Sequence, residues 1–248
     1  MPRSRKSPTR QDRSGGGKKG LAVVLVSGGM DSCVTAAVAA SQGYELALLH
    51  VNYGQRTEGR ELISFHQLTG YYGAAQRLVA DIRYLAAIGG SSLTDGRLAI
   101  PRAREKVNGI PPTYVPFRNT HLTAIGVSWA EAIGARRVFI GIVEEDAAGY
   151  PDCRRSYLKA LNEVVRLGTR TGSRLRVEAP LVGLCKADIV RLGLKLGAPF
   201  ELTWSCYRQE DVPCRDCLSC ALRARAFREA GAEDPLLRAY PNYHVSHT

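Results

Sequence analysis

Six residues near the start of the chain, Ser27-Gly28-Gly29-Met30-Asp31-Ser32, put two hydroxyls, two glycines and a carboxylate into one short run. Adjacent glycines let a backbone bend sharply and turn its N–H groups to a ligand without Cβ interference. A helix starting just after such a turn adds the partial positive charge of its N-terminus, which suits phosphate. Ser27 and Ser32 can add hydroxyl donors. The run lacks the lysine of GxxxxGKS/T and the spacing of GxGxxG, so it predicts neither a kinase-type phosphate loop nor a dinucleotide fingerprint. The competing reading is a tight turn in which Asp31 caps the helix.

A second cluster lies toward the other end. Cys206, Cys214, Cys217 and Cys220 stand close together, whereas Cys33, Cys153 and Cys185 are scattered. Four thiolates suit a tetrahedral Zn²⁺ with no open position, which argues for a structural role. Spacing alone leaves iron–sulfur ligation open. The intervening Arg215, Asp216 and Ser219 do not describe a core strand. Cys153 could be a nucleophile, but a packed or bystander thiol is the better reading. His50, His66, His121, His244 and His247 form no second constellation.

These groups need a scaffold. Leu21–Val26 reads as a buried parallel strand, followed by a helix over 31–42. A strand over 45–53, a helix over 58–72 and a strand over 77–85 follow. Residues 91–116 are rich in Gly, Pro, Ser and Arg with no steady period, which predicts a functional or mobile loop. A helix over 118–133, a strand over 137–142 and a helix over 154–167 come next. A strand over 175–179, a helix over 186–196 and a closing helix over 222–230 complete the pattern. Alternating strands and helices predict an α/β fold with a doubly wound parallel sheet. Ligands bind such sheets beyond the C-terminal strand ends. Ser27–Ser32, Asn52–Arg56 and Gly141–Arg154 all follow a strand and all qualify.

The chain has 248 residues, enough for one α/β domain with a small appendage. Its composition, 45% hydrophobic and 23% charged, excludes disorder throughout, collagen and a small disulfide scaffold. No stretch approaches the roughly 18 apolar residues that span a bilayer, and no apolar segment follows the N-terminal charges as in a secretory signal. A cytoplasmic, reducing setting is the default expectation, with no membrane partner. Seven basic residues among the first nineteen face only Asp12, so six of the net +11 charges sit in a tail poor in apolar side chains. Residues 1–19 are expected to be a disordered basic tail. The remaining charge fits small anions as easily as nucleic acid.

SGGMDS matches the SGGxDS loop of the PP-loop ATP pyrophosphatases. Four further segments narrow the choice: Tyr53-Gly54-Gln55-Arg56, Val115-Pro116-Phe117-Arg118-Asn119-Thr120, Gly149-Tyr150-Pro151-Asp152-Cys153-Arg154, and Thr203-Trp204-Ser205-Cys206-Tyr207 leading into the cysteine cluster. In this order, over about residues 21–231, the chain resembles the 7-cyano-7-deazaguanine synthase (QueC) family. The resemblance implies a Rossmann-like, adenine nucleotide alpha hydrolase-like fold. It divides the chain into a PP-loop domain over 20–203, a zinc-binding segment with a closing helix over 204–231, and an extension over 232–248. It implies an ATP-dependent ligase that forms C–N bonds in queuosine biosynthesis, joining 7-carboxy-7-deazaguanine and ammonia to make the 7-cyano base. ATP is a substrate, brought with Mg²⁺, and Cys206, Cys214, Cys217 and Cys220 hold one structural zinc.

The resemblance also carries roles. Val26, Ser27, Gly28, Gly29, Met30, Asp31 and Ser32 are expected to bind ATP. Asp31, Ser32, Lys186 and Arg118 are expected to be catalytic, the two cations screening developing charge. The competing readings are a surface lysine and a structural salt bridge. Tyr150, Asp152, Arg154 and Gln55 are expected to hold the deazapurine, against a reading of Asp152 as a cap for the helix near Arg154. Phe117 and Ala148 depart from the family's usual residues and bear on substrate preference. A homodimer is implied, and nucleic acid is disfavoured as a partner. The alternatives are a related enzyme adenylating another deazapurine or a tRNA-linked substrate, and an RNA-binding zinc module.

Overall fold

The computed structural model describes residues 19–105, 109–144 and 149–240. The expected tail before Lys19, Ala148, His244 and His247 lie outside those residues.

Five parallel strands form one sheet in the order β3-β2-β1-β4-β5. They are β1 (Leu21–Leu25), β2 (Glu45–Asn52), β3 (Gln76–Asp81), β4 (Arg137–Phe139) and β5 (Arg176–Glu178). The strand order turns back at β1, which pairs with β2 on one side and β4 on the other. β1 lies at the centre, where its run of Ala, Val and Leu tolerates burial on both faces.

Helices cover both faces, as a parallel sheet requires. On one face, Val23 and Leu25 of β1 meet Val127 and Ala130 of α4 (Arg118–Ala132) and Leu161 and Val165 of α5 (Arg155–Gly168). On the other, Ala22 and Val24 pack with α1 (Met30–Ser41), α2 (Glu58–Tyr72), α6 (Lys186–Leu196) and α7 (Leu218–Glu229). Two short helices, α3 (Tyr84–Ile88) and α8 (Pro235–Arg238), complete the set. Complete burial of Leu48 and Phe139 contributes about 1.5–3 kcal/mol for each side chain. Among the described residues, no helix is long and apolar enough to cross a membrane.

Three expected boundaries shift by three residues or more. The strand expected over 77–85 ends at Asp81, whose Oδ1 accepts from Arg83 N at 3.0 Å and starts the turn into α3. The strand expected over 137–142 ends at Phe139, and the chain then runs beside α1, where a Cβ on Gly141 would lie 3.2 Å from Asp31 O. The closing helix starts at Leu218 instead of Leu222, with Cys217 as its N-cap. The loop over 91–116 reaches the cysteine segment through an Arg102–Cys217 bridge and an Ala103 N to Asp216 O bond of 2.8 Å.

Candidate active site and metal centre

A cleft of about 330 Å³ opens at the C-terminal ends of β1, β2 and β4. The first turns of α1, α4, α6 and α7 all contribute to its wall, through Asp31, Arg118, Lys186 and Ser219 among others. Four helix N-termini thus face one space, which favours anions.

The glycine turn forms the floor. Ser27 Oγ lies 3.2 Å from Ser32 Oγ and accepts from Gly29 N at 3.2 Å. Ser32 Oγ donates to Gly29 O at 2.9 Å. Val26, Ser27, Gly29, Met30, Asp31 and Ser32 all line the cleft. Gly28 instead faces α2: its φ is +88°, and a Cβ there would lie 2.8 Å from Glu61 O. Beneath the turn, His50 Nδ1 sits 2.9 Å from Val26 O, and Nε2 sits 2.9 Å from Asn52 Oδ1. Burial lowers the His50 pKa, against the hydrogen bonds to Val26 and Asn52. His50 is thus a packed support, buried in β2.

The N-cap of α1 is Gly29, so Asp31 is not the cap. Its Oδ2 accepts from Lys186 Nζ at 2.9 Å, while Oδ1 is buried with no partner. Lys186 has a side chain only 9% exposed, which removes the surface-lysine reading. On the opposite wall the Arg118 guanidinium lies over the Tyr53 ring, with its carbon 5.4 Å from the centroid. Its Nη1 donates to Tyr53 OH at 3.2 Å, and its Nε is buried without a partner. Arg118 makes no ion pair among those found in the described residues, so the salt-bridge reading fails too.

The expected substrate residues divide. Tyr150 lines the cleft, and its hydroxyl lies 2.7 Å from Thr113 Oγ1. Asp152 is buried outside the wall, where its Oδ2 accepts from Asn119 N at 3.0 Å. It therefore caps α4, not the helix near Arg154. Arg154 is exposed and off the wall, as the N-cap of α5. Gln55 is buried behind the wall, with Oε1 accepting from Tyr53 N at 2.9 Å and Nε2 donating to Glu61 Oε2 at 3.0 Å. Phe117 is 57% exposed at φ 58°, a left-handed position in which a bulky side chain is strained, and it is not on the wall. Cys153 is buried, with Asn119 Nδ2 3.5 Å from its sulfur.

The sequence assigned no role to Glu61, Tyr53, Trp204 or Tyr207, all on the wall, and of these only Glu61 lies outside the segments it singled out. Glu61 had one usable signal, the spacing from Thr57 to Glu61 across the first turn of α2. Thr57 Oγ1 donates to Glu61 Oε1 at 2.8 Å. Burial pushes the Glu61 carboxyl up to about 7, against the donors from Thr57 and Gln55 and the charge of Arg118.

The four cysteine sulfurs of the C-terminal cluster lie within 4.8 Å of one another. Cys206 Sγ accepts from the backbone N–H groups of Arg208, Gln209 and Cys214 at 3.4 Å each. Cys214 Sγ accepts from Cys217 N at 3.3 Å. Bonds of this kind stabilise thiolates and orient them toward a metal, so the cluster can hold one. The segment is fixed to the cleft, because Trp204 N donates to Gly28 O at 2.8 Å. Arg60 stacks on the Trp204 ring at 4.6 Å.

Comparison with known proteins agrees over the whole folded body. The family described as queuosine biosynthesis protein QueC matches residues 21–231. A 7-cyano-7-deazaguanine synthase from Chloroherpeton thalassium is 50% identical over 223 residues, covering 90% of this chain and 99% of its own. Another, from Chlorobium phaeobacteroides strain DSM 266, is 53% identical over 215 residues, covering 87% and 95%. A third, from Chlorobaculum tepidum, is 50% identical over 223 residues, covering 90% and 98%.

Proposed function

The chain belongs to the QueC family of queuosine biosynthesis proteins, and we propose that it converts 7-carboxy-7-deazaguanine, ammonia and ATP into the 7-cyano base within this cleft. A carboxylate resists ammonia because its oxygen is a poor leaving group. Attack of that oxygen on the α-phosphorus of ATP releases pyrophosphate and makes the oxygen part of AMP. Ammonia then displaces AMP to give the amide. A second adenylation, on the amide oxygen, lets AMP leave as the nitrile forms and the nitrogen loses its protons.

The protein's share is placement and charge. Backbone N–H groups at Gly29, Met30 and Asp31, with the hydroxyls of Ser27 and Ser32, would receive the pyrophosphate of ATP. Lys186 and Arg118 would screen negative charge as the α-phosphorus changes partners. Asp31 holds Lys186 in place, and its unpartnered Oδ1 suits a magnesium ion carried with ATP. Tyr150 is the one expected substrate residue on the wall, so it is assigned to the deazapurine. The single supporting observation is the 2.9 Å Lys186–Asp31 pair at the meeting of two helix N-termini, beside the glycine turn.

A zinc ion fits the cysteine cluster. The edge of a Zn–thiolate tetrahedron is about 3.8 Å, from Zn–S bonds of about 2.3 Å, and Cys214 Sγ lies 4.0 Å from Cys220 Sγ. A four-iron cluster sets its thiolates on separate irons, farther apart. Zinc here would fasten residues 204–220 against the phosphate turn. A homodimer is part of the same reading, testable by sedimentation.

One incubation tests the assignment. Purified protein with ATP, ammonium and 7-carboxy-7-deazaguanine should give the nitrile, AMP and pyrophosphate by mass spectrometry. AMP without nitrile, or no acid-dependent AMP at all, would refute it.

A further inference from the structure

The reaction needs a base that the residues assigned so far do not supply. Ammonia at neutral pH is mostly ammonium, which has no lone pair and cannot attack an acyl-adenylate. Lys186 and Arg118 are cations, and Asp31 is engaged by Lys186. Among the described residues, Glu61 is the other carboxylate on the cleft wall.

Its setting is built for one position. Thr57 donates to one oxygen at 2.8 Å and Gln55 to the other at 3.0 Å. Gln55 is itself fixed by Tyr53 N. Each carboxylate oxygen keeps a second lone pair for a further donor. The charged and titratable groups around it are Arg118 from α4, Glu210 from the segment after Trp204, and Tyr53 at the end of β2.

We propose that Glu61 binds ammonium in the cleft and takes its proton for the amide-forming step. The balance is simple. Ammonium gives one proton to the Glu61 carboxylate and becomes ammonia. Ammonia attacks the acyl carbon of the adenylate, the C–O bond to AMP breaks, and the nitrogen sheds a second proton to water. Glu61 releases its proton to solvent before the next cycle. Burial helps, because it raises the carboxyl to about 7 and makes it a competent base near neutrality.

This inference rests on the adenylation reading above, and the test separates the two. Hydroxylamine is already neutral at pH 7 and yields a hydroxamate from the same adenylate without prior deprotonation. The variant Glu61→Gln should raise the ratio of hydroxamate to amide formed at pH 7 by roughly 10²-fold. Acid-dependent exchange of pyrophosphate into ATP monitors adenylation in the same preparations. No exchange in the wild type refutes adenylation and the inference with it. Exchange with an unchanged hydroxamate-to-amide ratio in Glu61→Gln refutes the inference alone. A wild-type measurement covers a variant that fails to fold. With Glu61 as base, kcat/KM for total ammonium rises until pH is near 7 and then levels. A continued tenfold rise per pH unit, up to the pKa of ammonium, would mean that free ammonia is captured without it.

Discussion

The two glycines of the phosphate turn should respond oppositely to the same added methyl group. At Gly28 the backbone φ is +88°, and a Cβ would lie 2.8 Å from Glu61 O and 2.9 Å from Ser64 Cβ. The left-handed conformation costs an L-residue about 1–2 kcal/mol. The overlap falls on helix backbone, which cannot turn aside, and overpacking costs about 1–3 kcal/mol more. Gly28→Ala should therefore lose about 2–5 kcal/mol, or roughly 4–20 °C in melting temperature. At Gly29 the φ is −81°, and a Cβ would meet Ser27 Oγ at 3.3 Å, a hydroxyl that can rotate. Gly29→Ala should keep its stability within about 1 kcal/mol. Its methyl group would nevertheless stand in the cleft where phosphate must approach, so the KM for ATP should rise at least about tenfold. Calorimetry and acid-dependent pyrophosphate exchange on both variants decide the matter. A Gly28→Ala protein that melts with the wild type, or a Gly29→Ala protein that binds ATP normally, would overturn these assignments.

Lys186→Met should lower the rate of pyrophosphate exchange by about 10²–10³-fold while the fold survives, since the loss is of charge facing the reacting phosphorus; a drop below tenfold would demote the residue. Stripping metal with a strong chelator, or Cys217→Ser, should lower the melting temperature and raise the KM for ATP together, because Trp204 ties the cysteine segment to Gly28; a stable metal-free protein with normal ATP use would count against a structural ion. Stability should also carry the signature of Glu61. Its carboxyl moves from 4.5 to about 7 on folding, so the folded chain holds a proton that the unfolded chain has released. That contribution is complete below 4.5 and disappears as pH rises through about 7. Urea titrations across this range should show less of the decline in Glu61→Gln, and identical slopes would contradict the shift.

Much of the scaffold was legible because its signals are local. The apolar run at Leu21–Leu25 and the glycine turn after it specify strand, bend and helix within twenty-one residues of chain. The four cysteines are equally plain, since thiols crowded at short spacing have few other uses. The substrate wall was less legible for a geometric reason. Asp152 and Arg154 share a conspicuous segment with Tyr150, yet the turn at Pro151–Cys153 sends Asp152 to the N-terminus of α4 and Arg154 to solvent. Of these three, only Tyr150 lines the cleft. Glu61 was missed because its one local signal, the Thr57–Glu61 spacing across the first turn of α2, does not by itself mark it as chemical. The raised pKa of its carboxyl comes from burial, and of the groups that hold it, Gln55, Thr57 and Arg118, the last lies 57 residues away.

The arrangement also explains how a small site can hold so much negative charge. ATP and a carboxylate substrate together bring several anionic groups, whereas the wall offers the cations Lys186, Arg118 and Arg223. Arg223 is already committed: its Nε and Nη2 lie 2.6 and 2.9 Å from the carboxylate of Asp234. Lys186 is half-neutralised by Asp31. The remaining attraction must come from the N-termini of α1, α6 and α7, since that of α4 is capped by Asp152; their N–H groups carry partial charge without the desolvation cost of a buried cation. Their convergence depends on α7 being seated, and α7 begins at Leu218, directly after its N-cap Cys217 in the cysteine cluster. A zinc there would act on catalysis without touching a substrate, by holding this helix end and Trp204 against the turn that receives phosphate.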